Sequence, residues 1–159
     1  MFPMTLRNIF PVFFLIAGLS TAADKQVVQP KDFATGRPFS PGILTNGTLY
    51  IAGQIGSDLK TGTIPGNFED EVRQTLSNIG VILKEAGYDY KDAVAVNVYL
   101  TDIDLFQRMN GVYTTFFPEP RPVRTTVAVA KLVGTAKIEI TVTAWKDPGP
   151  ALTGKKKRK

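Results

Sequence analysis

An amphipathic helix pattern over residues 67–87 most constrains the fold, because strand patterns lie on both sides of it. Asn67 is suited to cap this helix, acidic residues fill its first turn, and Gly87 is suited to end it. Its apolar side chains recur every three or four residues: Phe68, Val72, Leu76, Ile79 and Leu83. Such a stripe must be buried against another element, so the flanking strands predict that the helix packs on a sheet.

The strand patterns are short and are separated by turn residues. Asn46-Gly47 lies between two apolar runs, residues 43–45 and 48–52, and favours a type I′ hairpin. After the helix, the run "AVAVNVYL" alternates, which predicts a strand. One face of that strand is expected to carry Val94, Val96, Val98 and Leu100.

The rest of the chain completes a ββαβαββ order. A second helix is predicted over residues 104–117, ended by Pro118, and two strands over residues 125–130 and 137–145. The buried side of that helix is expected to hold Leu105, Met109, Val112, Tyr113, Phe116 and Phe117. This order predicts a two-layer α+β domain with both helices on one side of a mixed sheet.

The other sheet face is expected to carry small and moderately polar side chains: Ala95, Asn97, Tyr99, Thr126, Ala128 and Ala130. We expect this face to pack against sister subunits of a symmetric homo-oligomer. A solvated sheet face is the alternative.

The composition excludes several classes of chemistry. The 159 residues include no histidine and no cysteine, so the usual ligands of zinc and iron–sulfur sites are missing. Thiol nucleophiles and Ser-His-Asp arrangements are excluded as well, and no disulfide can staple the fold. We expect any chemistry to use carboxylates, arginine, lysine, tyrosine, hydroxyls, backbone groups or bound water.

Both ends of the chain are expected to lie outside the domain. Residues 1–23 have one cation, Arg7, followed by an apolar run and small residues, which is typical of a cleavable signal peptide and predicts export to the periplasm or the medium. An uncleaved membrane anchor is the alternative. Residues 24–35 are interpreted as a linker, 36–146 as the domain and 147–159 as a disordered basic tail.

The basic charge of the chain resides in its tail. The formal net charge is +5, and the last five residues, from Lys155 to Lys159, carry that much by themselves. Without these residues and Arg7 the charge is about −1, so the folded part lacks the basic bias of a nucleic-acid surface. We expect no specific nucleic-acid partner, and only nonspecific contact of the tail with anions. A solvated tail without a function is the alternative.

Two fixed charges stand in the last two strand patterns. Arg124 precedes a β-branched run, and Glu139 interrupts the final one on the face opposite the helices. An arginine can hold a carboxylate with two parallel hydrogen bonds, and a nearby carboxylate can serve as a general base for water. The pair suits metal-free chemistry on a small acid, although a structural ion pair is the alternative.

The sequence resembles the RidA family of reactive-intermediate deaminases, also called YjgF-type or L-PSP endoribonuclease proteins. The resemblance runs from about Gly36 to Trp145 and is carried by "PFSPGI", "NGTLYIAGQIG", "KTGTIPGNFEDEVRQTLSNIGVILKEAG", "VAVNVYLTDIDLFQRMNGVYTTFF" and "RPVRTTVAVAKLVGTAKIEI". It implies a chorismate-mutase-like α+β fold and a homotrimer with three clefts between subunits. It also implies cofactor-independent hydrolysis of enamine and imine acids, such as 2-aminoacrylate and 2-iminopropanoate, to 2-keto acids and ammonia.

The resemblance assigns roles to individual residues. It implies that Arg124 clamps the substrate carboxylate and that Glu139 positions the attacking water. Asn110 matches a cleft asparagine, and Gly53 matches a glycine whose backbone lines the pocket. Without the resemblance, Asn110 is an ordinary polar helix residue and Gly53 indicates only close backbone packing.

Three positions depart from the usual deaminase pattern. Phe39 stands where tyrosine is frequent, Ala52 where serine is frequent, and Thr126 where cysteine is frequent. Retention of the charged pair with these changes predicts recognition of an acid in a more apolar pocket. Two alternatives stay open: a non-catalytic binder of small acids or carbonyl compounds, and an endoribonuclease or translation inhibitor.

Overall fold

The computed structural model describes residues 24–149. Six strands and two helices follow in this order: β1 (Gln26–Val28), β2 (Gly42–Thr45), β3 (Thr48–Ile55), α1 (Phe68–Glu85), β4 (Ala93–Leu100), α2 (Phe106–Tyr113), β5 (Val123–Ala128) and β6 (Ile138–Trp145). From β2 onward this is the predicted ββαβαββ order. The predicted signal peptide and the last ten residues of the predicted tail lie outside the described residues, and they stay predictions.

All six strands form one mixed sheet in the order β1-β2-β3-β6-β4-β5. β4 and β5 run parallel, with α2 in the crossover between them, and every other neighbouring pair is antiparallel. α1 packs on β3 and β6 and also against α2, so both helices share one layer. The core lies between the helices and the sheet, where the fully buried side chains include Leu49, Leu76, Ile79, Val98 and Ile140.

β1 lies in the segment that the sequence analysis interprets as a linker. Gln26–Val28 pairs with β2 in antiparallel register, and Val28 and Phe33 are buried in the core. A strand of three residues is too short to show a period-two pattern, so the sequence gives no signal for it.

The hairpin and the first helix form as predicted. Asn46 and Gly47 have φ values of 48° and 71°, the left-handed conformation that a type I′ turn requires. The Asn67 side chain accepts a hydrogen bond of 3.0 Å from the Asp70 backbone N–H, which caps α1. Gly87, with φ of 76°, follows the end of the helix.

β4 begins with an irregularity that moves Val94 off the predicted face. The register between β4 and β6 shifts between Ala93 and Ala95, so Ala93 points inward and Val94 is 45% exposed. Val96 and the alternate residues after it point inward as predicted. A bulge inserts one residue without changing the alternating sequence, which is why the pattern misplaces Val94.

α2 is shorter than predicted. A 3-10 turn, Ile103–Leu105, leads into it, and it ends at Tyr113 rather than before Pro118. The backbone N–H groups of Thr115 and Phe116 bond three residues back, as in tightened turns, and Phe117 stays fully buried. The apolar periodicity continues through this segment although the α-helix does not. Among residues 24–149, neither helix is long and apolar enough to cross a membrane.

The predicted orientation of β5 is wrong. The parallel register pairs Thr126 with Val98 and Ala128 with Leu100, so their side chains point toward the helix layer rather than away from it. Ala130 lies beyond the end of the strand. β5 is an edge strand with partly exposed side chains on both faces, so its alternation holds little information on which face is buried.

Candidate functional site

Glu139 lies on the sheet face that carries no helices. Ile138 and Ile140 on either side of it are fully buried beneath the helix layer, so Glu139 points the other way and is partly exposed. Its neighbours across the sheet are Tyr99 on β4 and Ile55 on β3. Glu139 therefore points as the strand alternation predicts.

Gly53 lies directly against the carboxylate of Glu139. The register between β3 and β6 shifts between Ile51 and Gln54, and the residues between them are Ala52 and Gly53. A Cβ atom at position 53 would overlap Oε1 of Glu139 and lie 2.8 Å from its Cδ. Only glycine fits without displacing this carboxylate. We call Glu139, Gly53 and Ala52 the glutamate half-site.

A cavity of about 300 Å3 borders the glutamate half-site at the end of β3. Gly53 and Arg37 both line it. The Arg37 guanidinium lies 5.9 Å from the centroid of the Phe39 ring, which is 51% exposed. Phe39 lines a neighbouring cavity, which Arg37 also borders.

Arg124 lies on β5 and points toward the helix layer, since the register pairs it with buried Val96. Its guanidinium lies 4.6 Å from the centroid of the Tyr113 ring and 5.5 Å from that of Phe106, both on α2. Nη1 of Arg124 is also 3.9 Å from the sulfur of Met109. Two aromatic rings and a thioether hold this cation in place without neutralising it.

The Arg124 guanidinium keeps its capacity to bind an anion. Within residues 24–149, no Asp or Glu oxygen lies within 4.0 Å of it. Its planar fork of N–H donors matches the two oxygens of a carboxylate. A partly buried arginine in this setting is suited to an acid that comes from outside the chain.

Asn110 and Thr126 lie beside Arg124. Asn110 is four residues after Phe106 and three before Tyr113, so it shares a face of α2 with both rings. Thr126 follows Arg124 by two residues on the same face of β5. Its Oγ1 is buried and has no hydrogen-bond partner in the described part of the chain. We call Arg124, Asn110 and Thr126 the arginine half-site.

Tyr113 keeps its hydroxyl protonated next to this arginine. Burial raises the pKa of Tyr113, although the positive charges of Arg124 and Arg121 act in the opposite sense. The ring is 2% exposed. The Tyr113 ring is thus a neutral, buried surface for the guanidinium.

The two half-sites lie on opposite faces of the sheet in one chain. Along β4, the partner of Arg124 is Val96, and the partner of Glu139 is Tyr99, three residues further on. With ~4.8 Å between strands and ~3.3 Å per residue, the Cα atoms of Arg124 and Glu139 are roughly 14 Å apart. The two side chains form no ion pair with each other. One chain does not bring them to a common cleft.

Sequence reasoning missed the side chains that hold Arg124. The helical periodicity assigns Met109 and Tyr113 only to a buried side, and Phe106 to none. The available signal was the spacing of Phe106 and Tyr113 from Asn110, which places all three on one helix face. In the described part of the sequence, no cluster of three or more acidic side chains is arranged to hold a metal ion.

Comparison with known proteins identifies the family. The family model described as Endoribonuclease L-PSP matches residues 29–146. The chain belongs to this family. A RutC family protein of Pyrococcus horikoshii is 44% identical over 111 residues, which cover 69% of this chain and 88% of that protein. A protein of Bos taurus named 2-iminobutanoate/2-iminopropanoate deaminase is 37% identical over 131 residues, or 82% of this chain and 96% of that protein.

A similar solved structure has the same fold. The YjgF gene product of Escherichia coli superposes with a TM-score of 0.72 at 31% identity, covering 76% of this chain and 98% of that chain. The resemblance to YjgF and RidA proteins and the α+β fold that it implies are confirmed.

Proposed function

We propose that this protein hydrolyses reactive enamine and imine acids, of the 2-aminoacrylate and 2-iminopropanoate type, to 2-keto acids and ammonia. The bovine relative is named for this type of activity. The observation that carries the proposal is the Arg124 guanidinium, which two aromatic rings hold and no acidic side chain of the described residues neutralises. The carboxylate of a small acid is the partner that such a guanidinium fits.

The proposed site forms between two copies of the chain, with the arginine half-site of one copy facing the glutamate half-site of the next. The helix-free sheet face supports such contacts, because large apolar side chains there are 41–52% exposed: Tyr50, Val94, Val127 and Trp145. An interface that joins two different surfaces is head-to-tail, and a closed head-to-tail assembly is a ring. A homotrimer with three clefts uses every half-site once.

In the proposed reaction, Arg124 holds the substrate carboxylate and Glu139 orients one water molecule. The water oxygen attacks the carbon of the protonated imine while Glu139 accepts a water proton, and the second electron pair of the C=N bond passes to the nitrogen. The proton on Glu139 then passes to the amine nitrogen. The C–N bond breaks as ammonia leaves, and the hydroxyl gives its proton to Glu139 and becomes the carbonyl of the 2-keto acid. Glu139 then passes this proton to ammonia, which leaves as ammonium. An enamine first becomes the protonated imine by taking up a proton on carbon.

The side chains around the charged groups set the proposed substrate preference. Phe39 and Ala52 place apolar surface on the glutamate side, whereas Thr126 keeps a hydroxyl on the arginine side. We expect apolar substrate side chains to be favoured.

A turnover assay tests the function. An amino-acid oxidase generates 2-iminopropanoate, and its loss is followed with and without the protein. We expect the wild-type protein to accelerate the loss and Arg124→Ala to reduce kcat/KM by roughly 10²-fold, because charge-assisted hydrogen bonds to the substrate disappear. Arg121→Ala is the matched control: this exposed arginine pairs with Glu119 and should keep near wild-type activity.

The deaminase proposal fails if the wild-type protein does not exceed the background rate. Calorimetry with 2-keto acids then tests the alternative of a non-catalytic binder. Heat of binding that depends on Arg124, without turnover, would support a binder of small acids.

A further inference from the structure

Buried polar side chains gather where α1 meets the ends of β3 and β6. Within residues 24–149, the buried polar or charged residues are Gln54, Glu71, Thr75 and Asn78. Three of them lie on α1, whose other inward side chains are apolar. This junction lies beneath the two strands that carry Gly53 and Glu139.

Glu71 fixes the first residues of β6. Its side chain is 0% exposed, and its Oε1 accepts hydrogen bonds from the backbone N–H groups of Lys137, at 2.6 Å, and Ile138, at 3.3 Å. Its other oxygen, Oε2, has no hydrogen-bond partner among the described residues and lies 3.9 Å from Nζ of Lys137. Glu139 is the next residue along the strand.

The same helix also fastens the end of β3. The Asn78 side chain donates hydrogen bonds to the backbone carbonyls of Ile55, at 3.0 Å, and Ser57, at 2.8 Å. At Gly56, a Cβ atom would lie 2.6 Å from Cγ of Glu71, so glycine permits this close approach of strand and helix. α1 therefore determines the positions of both strands of the glutamate half-site.

Burial of the Glu71 carboxylate is unfavourable in free energy. Removing a carboxylate from water costs free energy that apolar packing would not require. α1 also has an apolar stripe that packs on the sheet, so the carboxylate is not the only contact between the layers. What the carboxylate adds is a defined position for two backbone amides directly before Glu139.

We propose that Glu71 is a positioning residue for Glu139: by fixing the Lys137 and Ile138 amides, it aims the Glu139 carboxylate at Gly53 and at the water to be activated. The inference rests on the proposed function for its effect on turnover. A misplacement of about 1 Å in a catalytic group can cost roughly 10²-fold in rate. The loss falls on kcat, because substrate binding depends on Arg124.

Three variants test the proposal. Glu71→Leu removes the acceptor, Glu71→Gln keeps an oxygen acceptor without the charge, and Thr75→Val removes a fully buried hydroxyl that bonds only to the Glu71 backbone carbonyl of the same helix. We expect Glu71→Leu to lower kcat by roughly 10²-fold with KM and 2-keto acid binding stoichiometry near wild type. We expect kcat near the wild-type value in both Glu71→Gln and Thr75→Val.

A second measurement is independent of turnover. The 13C chemical shift of the Glu139 carboxyl carbon and the hydrogen exchange of the Lys137 and Ile138 amides report the position of β6 directly. We expect both to change in Glu71→Leu and neither to change in Thr75→Val. If the Glu139 carbon keeps its shift in Glu71→Leu, or if Thr75→Val alters kcat as much, the positioning role is wrong. A wild-type protein without turnover contradicts the proposed function instead, and the chemical shift still decides this inference.

Discussion

Gly53 limits where the carboxylate of Glu139 can lie. The glutamate carboxylate occupies the space where any other residue at position 53 would place its Cβ atom. We expect Gly53→Ala to push the Glu139 carboxylate out of place and lower kcat by about 10- to 100-fold, whereas KM changes little. Steady-state kinetics with 2-iminopropanoate measures both parameters.

Gly66→Ala is the matched control for that change. A Cβ atom at position 66 would meet open space, and its backbone does not require glycine. Unchanged kinetics in Gly66→Ala and a loss in Gly53→Ala would locate the effect at the carboxylate. If the Gly53→Ala protein kept the wild-type kcat, turnover would not depend on the observed position of the Glu139 carboxylate.

The sequence predicted the residue types of the candidate site better than their placement. Arg124 and Glu139 stand out because a charge directly before or inside a strand pattern is unusual, and alternation correctly predicted the face of Glu139. The alternation placed Thr126 on the wrong face, because the two faces of an edge strand differ little in burial. The contacts of Arg124 with α2 join distant segments, which local patterns do not report.

Among the helices, strands and turns, sequence predictions were correct where a single side chain or backbone conformation determines the local structure. Asn67 caps α1, and the Asn46-Gly47 turn has the predicted conformation, because both depend on neighbouring residues only. β1, the bulges and the early end of α2 depend on tertiary pairing and were not predicted. Periodicity reports which face is buried, but not where the hydrogen-bond ladder shifts.

An ion pair joins the two helices. The Arg108 guanidinium donates hydrogen bonds of 2.7 Å and 2.8 Å to the two carboxylate oxygens of Glu69. These hydrogen bonds are the main reason why the pKa of Glu69 is lowered from 4.5 to about 2. Since the pKa is lower in the folded protein, protonation favours unfolding, and the stabilisation is present above pH 4.5 and lost toward pH 2.

Arg108→Gln should therefore lower the midpoint of thermal unfolding at pH 6 by a few degrees at most, because both side chains are partly exposed. The difference from the wild-type protein should shrink as the pH falls from 5 to 2. Calorimetry of both proteins over this range measures it. An equal difference at pH 6 and pH 2 would mean that the pair does not supply the pH dependence.

In the whole molecule, the proposed site requires more than one copy of the chain. Arg124 and Glu139 lie on opposite faces of one sheet, roughly 14 Å apart by strand geometry. A single copy therefore presents the proposed binding group, Arg124, on one face and the proposed base, Glu139, on the other. The proposed reaction requires an assembly in which these two surfaces meet.

Subunit complementation distinguishes a site shared between two copies from a site built within one copy. Arg124→Ala and Glu139→Ala proteins, each expected to have little activity alone, are unfolded together, refolded as a mixture and assayed with 2-iminopropanoate. If every site combines an arginine from one copy with a glutamate from the next, random mixing makes about one quarter of the sites intact, and about one quarter of the wild-type activity returns. If each site is built within one copy, mixing restores no activity, and that result would contradict the account.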